Sequence, residues 1–135
     1  MNRERFPHLF ADVPPAALFE HGGELFTRYG RTLRAHTVAT HRKRRTFKPL
    51  DVVRMSPGEA RNAPRARVLT VSGESAPYRE VWTRQRAPAG CIVCRFVVFY
   101  RGHWRRLFSD CSPGLAVPHF VNVAGSRVPV TDVAP

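Results

Sequence analysis

The chain has 135 residues, of which 43% are apolar and nine are phenylalanine. A chain of this length buries roughly two-thirds of its unfolded surface, so composition excludes a wholly disordered polymer and needs no disulfide staples. Twenty-two basic residues face 10 acidic ones, a formal net charge of +12, and no apolar run exceeds the five residues Phe96–Tyr100, too few for a membrane-spanning helix.

The N-terminal part is set apart by its prolines. There are 12 in the chain, and none falls between Pro15 and Pro49. A long proline-free window is where a helix fits. Asp12 reads as its cap, and Pro14 and Pro15 as its opening turn. Leu18, Leu25, Phe26, Tyr29 and Leu33 recur at roughly helical spacing. Gly22-Gly23 divides the pattern into a short helix and a longer one. The longer helix would bury Phe26, Tyr29 and Leu33 and turn Arg28, Arg31 and Arg34 outward, with Arg31, Arg34, His41 and Arg45 sharing a face. Residues 40–48 (THRKRRTFK) read as a frayed helix end or a basic arm.

After Pro49 short β-branched runs alternate with Pro, Gly and Ser, the punctuation of strands and turns. The expected strands are Leu50–Met55, Ala66–Ser72, Arg79–Arg84, Ile92–Tyr100, His103–Ser109, Pro118–Val123 and Arg127–Val130. Turns fall at Ser56-Pro57-Gly58, Ser72-Gly73, Ala87–Gly90, Ser112-Pro113-Gly114 and Ala124-Gly125-Ser126, and 57–65 reads as an exposed loop. The expected class is α+β in a single domain, 1–135. It comprises an N-terminal helical segment (12–46) with a basic end, then a small antiparallel β-sheet or partly closed β-barrel (50–131).

Charge is unevenly placed. Twenty of the 22 basic residues are Arg, the exceptions being Lys43 and Lys48. A GC-rich genome gives the same ratio, so distribution carries more weight than type. Residues 25–50 hold Arg28, Arg31, Arg34, Arg42, Lys43, Arg44, Arg45 and Lys48 and no acid, while 1–24 net −2. Such a block repels itself in the folded molecule and is relieved by a polyanion, whose condensed counterions are released on binding. A solvated, solubilising face needs less charge than this.

The stretch Arg95–Ser109 (RFVVFYRGHWRRLFS) reads as a hairpin turning at Arg101-Gly102. That turn pairs Tyr100 with His103, Phe99 with Trp104, Val98 with Arg105, Val97 with Arg106, Phe96 with Leu107 and Arg95 with Phe108. Both faces then mix rings with arginine. One reading is a stacking platform in which Phe99, Tyr100 and Trp104 take bases while Arg95, Arg101, Arg105 and Arg106 hold phosphates, with Trp104 the exposed ring. The other is ordinary packing, with arginine stems reaching out to water.

Cysteine and histidine offer little chemistry. The cysteines are Cys91, Cys94 and Cys111. An odd number, in a chain whose first 25 residues carry four acids and no apolar leader, implies a reducing compartment, cytoplasmic or nucleoid-associated and not secreted. Cys91, Cys94 and Cys111 with His119 or His103 could form a zinc set. Residues i and i+3 of a strand, however, point to opposite faces, so no metal and no cofactor is expected. No HxH, HExxH, clustered carboxylates or phosphate-binding glycine loop occurs, and no catalytic residue is expected.

The sequence therefore predicts a non-enzymatic nucleic-acid-binding protein, for DNA or RNA, with weak sequence preference. Arg28, Arg31, Arg34, Arg42, Lys43, Arg44, Arg45 and Lys48 track phosphates beside the hairpin Arg95, Phe99, Tyr100, Arg101, Trp104, Arg105 and Arg106. The competing reading is a small phage- or plasmid-type accessory protein that binds an acidic host surface, since Arg, Trp, Tyr and Phe also anchor protein interfaces. A third is a self-assembling genome-packaging protein whose apolar tail, 111–135, forms an oligomer seam, although that tail reads better as the last core hairpin. No membrane association is expected.

Overall fold

Four two-residue turns organise the backbone, and in each both residues adopt positive φ: Gly22-Gly23 (59° and 80°), Ser72-Gly73 (49° and 84°), Arg101-Gly102 (49° and 80°) and Ala124-Gly125 (50° and 84°). This is the turn whose twist matches two antiparallel strands, and glycine supplies its left-handed residue without steric cost. The computed structural model describes residues 6–39, 42–65, 67–81, 91–110 and 119–131. Among these residues the regular structure is β, with two short 3-10 segments, Phe10–Asp12 and Glu59–Asn62. The chain divides into two compact units, Met1–Pro64 and Arg65–Pro135.

The first unit is a six-stranded antiparallel sheet. Its strands are β1 (Phe6–Leu9), β2 (Leu18–His21), β3 (Glu24–Arg28), β4 (Arg34–Thr37), β5 (Arg44–Thr46) and β6 (Val52–Met55), in the order β1-β6-β2-β3-β4-β5. Here the helix expected over 12–46 is overturned: that window holds β2, β3, β4 and β5. Gly22-Gly23 does not break a helix but joins a hairpin in which His21 opposes Glu24 and Phe19 opposes Phe26. The runs LFEH and ELFTR bury alternate residues, the period of a strand with one face packed. Phe19 and Phe26 are inside, whereas Leu25, Tyr29 and Leu33 are exposed at 41%, 54% and 42%. Asp12 ends a 3-10 turn instead of capping a helix, and Pro14–Ala17 forms a tight turn closed by the Ala17 N–H to the Pro14 carbonyl at 3.1 Å.

The core of this unit is aromatic. Phe47 lies 4.8 Å from the Phe10 ring, stacked, and meets Phe19 and Phe26 edge-on at 5.3 and 5.2 Å. Val13, Ala17, Ala35, Val53, Met55 and Ala63 complete it. Each favourable ring pair adds about 0.5–1.5 kcal/mol to what burial supplies. Ala63, just beyond the Glu59–Asn62 turn, joins this core, so the expected loop 57–65 is partly a core element.

The second unit is a closed six-stranded barrel. Its strands are β7 (Arg67–Val71), β8 (Glu74–Glu80), β9 (Cys91–Tyr100), β10 (His103–Asp110), β11 (His119–Val123) and β12 (Ser126–Thr131). Each pairs antiparallel with its neighbour in sequence, and β12 closes on β7 through Val130–Val71 and Thr131–Thr70. Closure removes the unpaired edges that an open sheet must protect. Leu69, Val71, Ala76, Tyr78, Val98, Tyr100, Leu107, Val121 and Val130 fill the interior. A small barrel is present, closed where the sequence suggested an antiparallel sheet or a partly closed barrel, and it takes in 67–131 and not 50–131: the strand expected at Leu50–Met55 is β6 of the first sheet. The strand expected at Arg79–Arg84 lies earlier, at Glu74–Glu80; residues 82–84 are outside the described part, as are the expected turns Ala87–Gly90 and Ser112-Pro113-Gly114.

Candidate nucleic-acid interface

The basic block of residues 25–50 is folded into a strip at the β4–β5 edge of the first sheet. One member leaves it. Arg28 is 8% exposed, on the core face of β3. Its Nε donates to the Thr32 carbonyl at 3.0 Å, and its Nη1 donates to the carbonyls of Phe10, Ala11 and Val13 at 3.2, 3.2 and 2.7 Å. Nη2 reaches the Arg31 carbonyl at 3.3 Å, and the guanidinium lies 4.6 Å over the Phe10 ring. Burial, and then the charge of Arg31, lower its pKa, while Asp12 pulls the other way. A guanidinium whose donors point at five backbone carbonyls is an internal clamp on the 10–13 and 31–32 turns. It is therefore corrected from phosphate contact to structural residue.

The other seven, Arg31, Arg34, Arg42, Lys43, Arg44, Arg45 and Lys48, are all exposed. Strand pairing draws them together: Arg34 opposes Thr46, Ala35 opposes Arg45 and His36 opposes Arg44. None of these cross-strand partners is acidic. Arg42 and Lys43 lie in the connection to β5, which is fastened to β4 by the Lys43 N–H on Thr37 Oγ1 at 3.0 Å and the Thr37 N–H on the Lys43 carbonyl at 2.9 Å. Asp51, just past the block, accepts the Lys48 N–H at 2.8 Å. The face shared by Arg31, Arg34, His41 and Arg45 on a helix does not form. Arg34 and Arg45 project from opposite faces of the sheet, because opposed residues share a face and neighbours alternate. Arg45 lies on the core side at the edge, 5.1 Å over the Phe47 ring. His41 is outside the described residues.

Residues that the sequence did not suggest for the site occupy the outer face. Thr27, His36 and Arg44 stand in one row across β3, β4 and β5. Tyr29, just past β3, bonds through its N–H to the Arg34 carbonyl at 2.9 Å and begins the next row. The Tyr29 ring meets the His36 ring at 5.3 Å and 68°. His36 Nδ1 is buried and has no hydrogen-bond partner among the described residues. An open sheet face therefore carries an exposed tyrosine and a histidine between arginines. The signal that could have found them is period two: Leu25, Thr27 and Tyr29 alternate with Phe26 and Arg28.

The β9–β10 hairpin follows the expected pairing from Tyr100–His103 to Val97–Arg106, then shifts register so that Phe108 faces Val93 and not Arg95. Its rings are not offered to a ligand. Tyr100 and Trp104 are 5% and 6% exposed, which overturns the expectation that Trp104 is open, and the half-buried Phe99 packs 5.4 Å from Trp104. Arg105 Nε donates to the Tyr100 carbonyl at 2.8 Å and its Nη2 to that of Arg101 at 3.4 Å, capping its own turn. Arg106 is half-buried and burial lowers its pKa. Arg95 and Arg101 are exposed, with Arg101 5.3 Å over the Tyr100 ring. Packing accounts for these rings better than stacking does.

Among the described residues no group of three or more His, Cys, Asp or Glu could hold a metal ion. The Cys91 sulfur accepts from Arg127 Nη2 at 3.3 Å. Cys111 and the Cys94 side chain of the expected zinc set lie outside the described part. No described helix is long and apolar enough to cross a membrane. Compared with family models, with curated proteins and with solved structures, the chain matches none.

Proposed function

We propose that this chain is a non-catalytic nucleic-acid-binding protein of weak sequence preference, and that Arg31, Arg34, Arg42, Lys43, Arg44, Arg45 and Lys48 are its phosphate contacts. The observation that carries the reading is the gathering of seven exposed cations on adjacent strands and their connections, with no acid between residues 25 and 50. A polyphosphate backbone supplies the missing charge, and it does so without reading bases. An acidic protein surface competes for the same strip but brings no condensed counterions to release.

The test is an equilibrium anisotropy titration of random-sequence oligonucleotides at several salt concentrations. Contacts with six or seven phosphates weaken affinity by roughly a thousandfold between 50 and 200 mM salt. Binding that is absent at low salt, or indifferent to salt, rejects the reading.

A further inference from the structure

We infer that the preferred polymer is single-stranded, with an unpaired base stacked on Tyr29. This inference rests on the nucleic-acid reading above and sharpens it. Tyr29 is 54% exposed on the outer sheet face, and exposed apolar side chains gathered on one face mark interaction sites. Leu25 and Val38, 41% and 49% exposed, continue the apolar surface along the same side and are joined by the Val38 N–H to the Leu25 carbonyl at 3.1 Å. Arg34 follows Tyr29 in the pairing, and Arg44 lies beyond His36 on the edge strand.

An exposed ring within two strands of exposed guanidiniums is complementary to a ligand that presents flat apolar faces and anions together. Strands lie about 4.8 Å apart, so ring and guanidiniums fall within the span of adjacent nucleotides. A duplex keeps its base faces stacked inside and offers only phosphates and groove edges. A carboxylate-rich protein surface or an inorganic polyphosphate offers the charge without the rings. A single strand offers both, and stacking on an aromatic side chain is tolerant of sequence because every base has a π-face. The His36 ring, set against Tyr29 at 5.3 Å, orients that ring, with Arg34 opposite Tyr29 and Arg44 beyond His36 in the next row.

The experiment compares three probes by competition anisotropy at low salt: a 20-nucleotide thymidine oligomer, a 20-base-pair duplex and inorganic polyphosphate. The full-length chain and its Tyr29→Ala and Tyr29→Phe variants are measured side by side, with circular dichroism to show that each is folded. The single strand should bind more tightly than the duplex. Tyr29→Ala should weaken single-strand binding by roughly tenfold, the scale of one stacked base, and leave polyphosphate binding unchanged, while Tyr29→Phe retains both. Equal affinity for duplex and single strand, or a Tyr29→Ala variant that binds the thymidine oligomer like the parent, overturns the inference while leaving salt-sensitive phosphate binding intact. Failure of all three probes to bind removes the nucleic-acid reading itself.

Discussion

The two units carry the same formal charge and use it differently. Residues 1–64 contain 12 basic and 6 acidic side chains, and residues 65–135 contain 10 and 4, so each nets +6. In the first unit seven of the cations fall between 31 and 48 and are brought onto two strands and their connections. In the second the described arginines are spread along the chain from Arg65 to Arg127, and several are tied to the barrel's own framework. Arg105 caps the Arg101-Gly102 turn, Arg106 is half-buried, and Arg127 lies 4.5 Å over the Phe120 ring. Net charge therefore does not locate an interface. Density of exposed charge with no acid between residues 25 and 50 does, because desolvated or carbonyl-bound guanidiniums are unavailable to a polyanion.

Arg28 and Arg34 draw the same contrast inside one unit, six residues apart. Arg28→Ala leaves the carbonyls of Ala11 and Val13 without the guanidinium donor, while that of Phe10 keeps the Val13 N–H, and each buried group left unpaired costs about 1–3 kcal/mol. Chemical denaturation should report a destabilisation of about 3 kcal/mol or more. Arg28→Lys should not restore it, because a single ammonium cannot reproduce the planar fork. The salt dependence of oligonucleotide binding by the folded fraction should not change. A stable Arg28→Ala protein with weakened binding would mean that Arg28 faces the ligand.

The smallest effect is expected at the hairpin. Trp104→Phe removes a buried indole N–H that has no partner among the described residues and keeps most of the packing on Phe99. Stability should fall by about 1–2 kcal/mol, the volume lost with the smaller ring being offset in part by removal of the unpaired N–H, and affinity for oligonucleotides should be unaltered. A clear drop in affinity would return the hairpin to the binding surface.

What could be read from the chain differed between the units for a physical reason. In the barrel, β-branched runs alternate with X-Gly turns at 72–73, 101–102 and 124–125. Local propensity and tertiary structure agree there, and the register of Tyr100–His103 through Val97–Arg106 followed from counting outward from Arg101-Gly102. In the first unit the same turn type, Gly22-Gly23, sits in a window whose lack of proline suggests a helix. Leu18, Leu25 and Tyr29 belong to the outer side of short strands yet, with Leu33 from the turn before β4, also match a 3.6 period, and four- or five-residue strands are too brief for alternation to outvote that coincidence. The misread period carried the site with it: it placed Tyr29 in the core and Arg28 outside, the reverse of what the sheet does. The basic strip itself was legible, since it depends on the absence of acids and not on secondary structure.

The position of the phosphate contacts is open to a direct measurement. Two triple variants, Arg42/Lys43/Arg44→Gln in the first unit and Arg67/Arg95/Arg101→Gln in the second, remove equal charge from exposed positions. Their affinities for a 20-nucleotide thymidine oligomer should be measured across salt concentration. The first should flatten the slope of log affinity against log salt by about 2, at about 0.7 for each single-strand phosphate no longer neutralised, while the second leaves the slope near that of the parent. Equal flattening in both would show that overall charge governs binding, and would contradict the assignment of the interface to the strip on β4, β5 and their connections.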